Sequence, residues 1–245
     1  MDKSYNEFAY STPNIVEKYR CAIEDIGLWN SEKYIINKYF SLNDNILDVA
    51  CGAGRTTYGM YKLGYKNIVG IDFSKEMINS ARQYMPTKIK FYCCNMYETP
   101  FNACSFDDVL ISYNALMMVP THSARIKALK EMNRVLSVGG ILAFTASDRE
   151  HNPKFSDFWN KEMLLWNKNK NDKRLYEYGD QIFTECGENV YIHFTTRLEI
   201  EKMLHSTGFE LVESFFRDTI EEKDIVKKNS GDTMFYIAKK KQQFL

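Results

Sequence analysis

The eight residues Asp48-Val-Ala-Cys-Gly-Ala-Gly-Arg55 concentrate the chemistry of this chain. Glycines let the backbone turn sharply and approach a ligand closely, and a helix starting there presents free N–H groups to anionic or polar atoms. Such a loop suits a nucleotide-like cofactor. Asp72, in Val69-Gly-Ile-Asp-Phe-Ser74, follows at a spacing that agrees with a nucleoside site, where a carboxylate accepts the two hydroxyls of a ribose. A hydrogen bond to such a charged group contributes about 1.5–3 kcal/mol.

The elements around these residues read as alternating strands and helices. Asn45-Ile-Leu-Asp-Val-Ala50 is a short apolar run before the loop, Thr56 to Leu63 a helix closed by Gly64, and Asn67-Ile-Val-Gly-Ile71 a second buried strand. Lys75 to Met85 reads as a helix that Ser74 caps and Pro86 stops. The rhythm continues through strands at Ile89 to Tyr92, Phe106 to Ile111 and Gly140 to Thr145, with a helix at His122 to Leu136. Right-handed crossovers then give a parallel sheet whose ligand crevice lies at the carboxyl ends of the strands, beside the first one. Asp148 to Thr195 breaks the rhythm with aromatics among Asn and Lys, and reads as an insertion over the active site. A helix near Thr196 to Ser206 and strands at Phe209 to Phe216 and Thr233 to Ala238 complete the fold. Pro13 to Ile26 and Ser31 to Phe40 read as helices of a cap spanning residues 1–41. One domain over residues 1–245 is expected.

Lys plus Arg equals Asp plus Glu at 32 each, so no overall field draws the chain towards nucleic acid or an anionic membrane. Met1 to Ser11 lacks the pattern of a secretory signal, and Val109 to Val119 is too short to span a bilayer. The six cysteines show no CxxC pair or zinc-ligand spacing. A cytoplasmic protein without metal is expected.

The loop from Asp48 resembles the first motif of the class I S-adenosylmethionine (SAM)-dependent methyltransferases, Asp/Glu-x-Gly-x-Gly-x-Gly, and the resemblance covers about Asp44 to Lys239. It implies a Rossmann-like α/β fold with a mostly parallel seven-stranded sheet, an antiparallel last strand and helices on both faces. Gly52 and Gly54 match, while Ala50 stands at the first glycine, a replacement that costs little at negative φ. The resemblance also implies that Asp48 lies near the amino-acid end of SAM, that Arg55 helps hold its carboxylate and that Asp72 binds its ribose. Phe73 and Met77 are expected to flank the adenine, and Met96 to add a backbone N–H and an apolar contact. Asn95 takes the place of the family's frequent Asp at the adenine amino group, as a neutral acceptor. Ser112, Tyr113 and Met117 fall in the segment that runs past the methyl group.

Methyl transfer from a sulfonium demands positioning more than covalent help, and leaves S-adenosylhomocysteine (SAH) as product. A base is needed only where the acceptor must lose a proton. His193 is the preferred one, ahead of Tyr113, Tyr10, His122 and His151. A small-molecule acceptor is expected, with nucleic acid and membrane disfavoured. Three other readings stay open. A nicotinamide dehydrogenase shares the βαβ unit, although Gly52-Ala-Gly-Arg-Thr-Thr57 ends in Thr where the dinucleotide fingerprint has Gly or Ala. A tRNA or RNA methyltransferase is suggested by Tyr191-Ile-His-Phe194, and a catalytically silent SAM-fold partner subunit would share the sheet.

Overall fold

A computed structural model of the chain describes residues 5–231 and 233–242. The outermost parts of the expected domain, residues 1–4 and 243–245, lie outside the described residues. Two helices, α1 (Tyr5–Ala9) and α2 (Pro13–Asp25), precede α3 (Asn30–Tyr39) and strand β1 (Ile46–Val49). The alternation then runs through α4 (Arg55–Lys62), β2 (Ile68–Asp72), α5 (Lys75–Tyr84), β3 (Lys90–Cys93), β4 (Phe106–Ile111), α6 (His122–Val135) and β5 (Leu136–Ser147). Next come α7 (Ser156–Asn167), the hairpin strands β6 (Asp180–Glu185) and β7 (Glu188–His193), α8 (Arg197–Ser206), β8 (Phe209–Phe216), α9 (Asp224–Ser230) and β9 (Thr233–Lys240).

Seven strands form one sheet in the order β3-β2-β1-β4-β5-β9-β8. The pairs from β3 to β5 are parallel, and β9 runs antiparallel to both neighbours. This is the expected mostly parallel sheet with its last strand reversed. Alternate residues feed two apolar layers, because neighbouring side chains of a strand point to opposite faces. Leu47, Val49, Val109, Ile111, Phe144 and Tyr236 pack with Ala128, Met132, Ile200 and Leu204 of α6 and α8. Ile46, Leu110, Ala143, Phe235 and Ile237 pack on the other face with Ile35 and Ile36 of α3 and Met60 of α4. Both faces are thus covered by helices. The strand order reverses between β1 and β4, so their carboxyl ends open the crevice that topology predicts.

The segment from Asp148 to Thr195 carries more regular structure than its composition suggests. Beyond α7 it folds into the β6–β7 hairpin, turned by Cys186 and Gly187 at φ of 48° and 89°. Two consecutive left-handed residues give the tight turn that twisted hairpins prefer, but Cys-Gly is a weak sequence signal beside Asn-Gly. Strand β7 packs against α1. The two ends of the chain's cap and insertion therefore meet above the sheet.

Candidate functional site

A cleft of about 330 Å³ opens at the carboxyl ends of β1, β2 and β4. Ala50, Gly52, Asp72, Phe73, Met77, Asn95, Met96, Ser112 and Tyr113, all read from the sequence as candidate cofactor contacts, line it. Asn6, Tyr10, Tyr19, Tyr97 and Met118 complete its walls. A second cavity of about 260 Å³ lies on the far side of the loop and shares Tyr19, Ala50, Ser112 and Tyr113 with the first. Lys18, Trp29 and Arg55 belong to this second cavity.

The loop is held by carboxylates at both ends. Asp48 is buried and accepts from Thr56 Oγ1 at 2.6 Å and from the Thr57 hydroxyl, tying the end of β1 to the first turn of α4. Its side chain does not line the cleft, and its Oδ1 is buried without a hydrogen-bond partner among the described residues. Asp72 accepts the Gly52 N–H at 2.9 Å on Oδ2 and the Ser74 N–H at 2.8 Å on Oδ1. Burial pushes both carboxyls up to about 6, against hydrogen bonds that favour the ionised form. Gly52 has φ +54°, and a Cβ there would lie 3.3 Å from the Tyr19 ring. Gly54, at φ +100°, starts α4 in the left-handed region.

Ala50 corrects an expectation. Its φ is +53°, not negative, so the alanine sits where an L-residue pays about 1–2 kcal/mol that glycine would not. Tyr113 and Asn114 are also left-handed, at φ 55° and 60°. The Asn114 N–H donates to Thr145 Oγ1 at 2.7 Å, which pins this strained step to β5 and turns Tyr113 towards both cavities. Strained backbone of this kind concentrates at ligand sites.

Five predicted residues lie outside this cleft lining: Asp48 and Gly54 of the loop, and Arg55, Met117 and His193. Arg55 makes a bidentate pair with buried Glu32, at 2.7 and 2.6 Å, and donates to Gly27 O at 2.7 Å. Glu32 also accepts the Trp29 N–H at 2.8 Å and the Ser112 hydroxyl, so the arginine joins α3, α4 and the end of β4. Met117 is fully buried in the core, and Met118 takes its place on the cleft wall. His193 is buried in β7, with Nδ1 2.8 Å from Asp180 Oδ1 and Nε2 3.5 Å from Glu199 Oε2. It does not line the cleft, because hairpin pairing turns it towards Asp180. Glu177, Asp180 and His193 cluster closely enough to suggest a cation site. However, Asp180 already accepts from Tyr176 N, Glu177 N, the Tyr191 hydroxyl and His193, while Arg125 holds Glu177 at 2.6 Å.

The sequence reading missed Glu32, Tyr19, Met118 and Glu185. The last is a buried carboxylate at the hairpin tip, 2.7 Å from Lys18 Nζ. Residues so far apart in the chain carry no local signal of their meeting.

Residues 46–140 match the model of a methyltransferase domain. The chain is 29% identical to an uncharacterised protein of Methanocaldococcus jannaschii, over 85% of this chain and 81% of that one. It is 33% identical to a demethylmenaquinone methyltransferase of Staphylococcus aureus, over 46% of this chain and 47% of the relative. The fold superposes on a SAM-dependent methyltransferase from Methanosarcina mazei with a TM-score of 0.70, at 22% identity, covering 89% of this chain and all of the other. Residues 46–140 thus carry a methyltransferase domain, and the fold is that of the class I SAM-dependent methyltransferases. The reversed β9 inside the sheet fits this class and replaces the all-parallel dinucleotide fold of a dehydrogenase. Features of the methyltransferase cleft fit SAM: the unpartnered Asp48 Oδ1 beside the loop, the close backbone approach at Gly52, and polar Asp72 and Asn95 on a mainly apolar wall. Among the described residues, no helix is long and apolar enough to cross a membrane.

Proposed function

We propose that this enzyme methylates a small-molecule acceptor held beneath the roof formed by α1, α2 and the β6–β7 hairpin. The observation that carries the reading is how that roof is fastened. The Asn6 amide donates to Met118 O at 2.8 Å and Tyr191 O at 3.0 Å, and accepts the Tyr191 N–H at 2.8 Å. Helix α1 is thereby tied to Met118 on the cleft wall and to the hairpin behind it, leaving a space suited to a metabolite rather than to a folded RNA.

In this reading Asp72 accepts the ribose hydroxyls, Phe73 and Met77 flank the adenine, and Asn95 and Met96 meet its edge. Asp48 holds the loop in shape, with its free Oδ1 towards the amino-acid end, and Ser112 borders the same end. SAM supplies the activated methyl on a sulfonium whose leaving group is neutral. Tyr113 orients the acceptor: burial, and the nearby Glu185 charge, push its phenol up, so it serves as a neutral hydrogen-bonding group rather than a base. Arg55 and His193 act on the frame, through Glu32 and through Asp180. Excluding water and orienting the acceptor can supply about 7–11 kcal/mol of the barrier.

Calorimetry with SAH, followed by a methyl-transfer screen over small amines, hydroxyls and thiols with tRNA included, tests this. SAH binding and turnover of a small molecule are expected. Failure to bind SAH, or transfer to tRNA alone, would overturn it.

A further inference from the structure

Three tyrosines stand over the loop. Tyr10 and Tyr19 meet edge to face at 5.5 Å, and Tyr19 meets Tyr113 at 6.2 Å. The Tyr19 ring rests against the bare backbone of Gly52. Behind the rings lies Glu185, whose residue is only 9% exposed. Tyr19 Oη lies 3.4 Å from Tyr10 Oη, and Tyr10 Oη lies 3.5 Å from Glu185 Oε2. On its other side Glu185 is 2.7 Å from Lys18 Nζ, and the lysine side chain is 43% exposed where it lines the second cavity. The carboxylate is thus the buried end of the pair, beside Tyr10, while the ammonium is the more exposed end and the more screened by water. The other cation nearby, Arg55, is already paired with Glu32. Aromatic rings backed by a buried carboxylate make a site that favours a positive charge.

We infer that Glu185, acting with Tyr10 and Tyr19, makes the cleft distinguish the charged sulfonium of SAM from the neutral thioether of SAH. The inference rests on the methyltransferase reading above and adds a consequence to it. Transfer of the methyl group abolishes the charge that the wall attracts, so this wall favours loading of SAM and release of SAH. The hairpin, far from the loop in sequence, becomes the element that sets this preference.

The test is calorimetric and needs no acceptor. SAM, SAH and sinefungin, whose amine carries a positive charge near the sulfonium position, are titrated into the wild-type protein and the Glu185→Gln and Glu185→Asp variants. Wild type should bind SAM and sinefungin more tightly than SAH. Glu185→Gln should lower the SAM-to-SAH preference by about threefold to tenfold with little change in SAH affinity, as expected for a partly screened charge. Glu185→Asp should restore part of it. An equal loss for all three ligands would mean that Glu185 only fastens the roof, and an unchanged ratio would likewise overturn the inference. A wild-type protein that binds SAH as tightly as both cationic ligands would do so too, whatever the folding of the variants. No binding of any of the three would instead sink the methyltransferase reading itself.

Discussion

On the sheet side of the cleft, Asp48 and Asp72 spend their carboxylates on threonine hydroxyls and backbone N–H groups of the turns they border. On the roof side, carboxylates meet a histidine close in the chain and cations from distant segments: Asp180 and Glu199 around His193, Arg149 on Glu199, Glu177 on Arg125, Glu185 on Lys18. The sheet side rests on apolar layers and tolerates its buried carboxylates as a local cost. The insertion has few fully buried apolar residues and depends on its polar network to hold one geometry. Buried networks are unforgiving when half satisfied, since each orphaned partner keeps its desolvation penalty.

The sharpest way to break this contrast is Asp180→Ala. It strips partners from His193, the Tyr191 hydroxyl and two backbone N–H groups, and should cost about 3–5 kcal/mol. Hydrogen exchange should show the β6–β7 amides losing protection while β1 and β4 keep theirs; uniform loss across both would erase the proposed difference. On the sheet side, Asp72→Asn should weaken SAH binding by about 10-fold to 100-fold, the loss of a charged hydrogen-bond acceptor, with a smaller change in melting temperature. Unchanged affinity would remove Asp72 from the ribose site.

Acid should separate the two regions by sign. Asp48 and Asp72 are raised to about 6 by burial, so the folded state binds their protons more tightly than the unfolded chain does. Their contribution to stability is fully present below the unfolded value of about 4 and is lost as pH rises through about 6. Burial alone would raise Asp180 and Glu199 as well, but hydrogen bonding with His193, together with Tyr191 or Arg149, outweighs it and holds both below the usual carboxylate range. Their contribution is present above about 4 and disappears as pH falls through the depressed values. Limited proteolysis against pH should therefore show the hairpin opening first in acid, and a simultaneous loss of both regions would contradict the assignment. SAH affinity should also fall below about pH 6 as Asp72 takes up its proton. The smallest effect concerns Ala50→Gly, which relieves the left-handed alanine at the expense of a freer unfolded chain. A gain of about 0.5–1 kcal/mol is expected, read from the melting temperature.

The sequence by itself determined the sheet side of this molecule. Apolar runs, a glycine turn and an acidic residue at the end of the next strand are local patterns, and backbone geometry converts them directly into strand, loop and helix. Asp72, Phe73, Met77 and Asn95 accordingly line the cleft at the positions read from the chain. Local pattern also missed in places, because it says where a residue stands but not where its side chain is spent. Arg55 turns to Glu32, 23 residues earlier, rather than to the cleft lining. Ala50 takes a conformation that its type disfavours, since the turn around Gly52 and Asp72 imposes it. His193 attracts notice as a titratable group among aromatics, yet only hairpin register decides that it faces Asp180. Tertiary structure alone brought Glu185 to Lys18 and Tyr10, across 167 and 175 residues of chain. Such meetings depend on how the insertion folds back over the sheet, and that is fixed by packing and buried charge pairing rather than by any spacing along the chain.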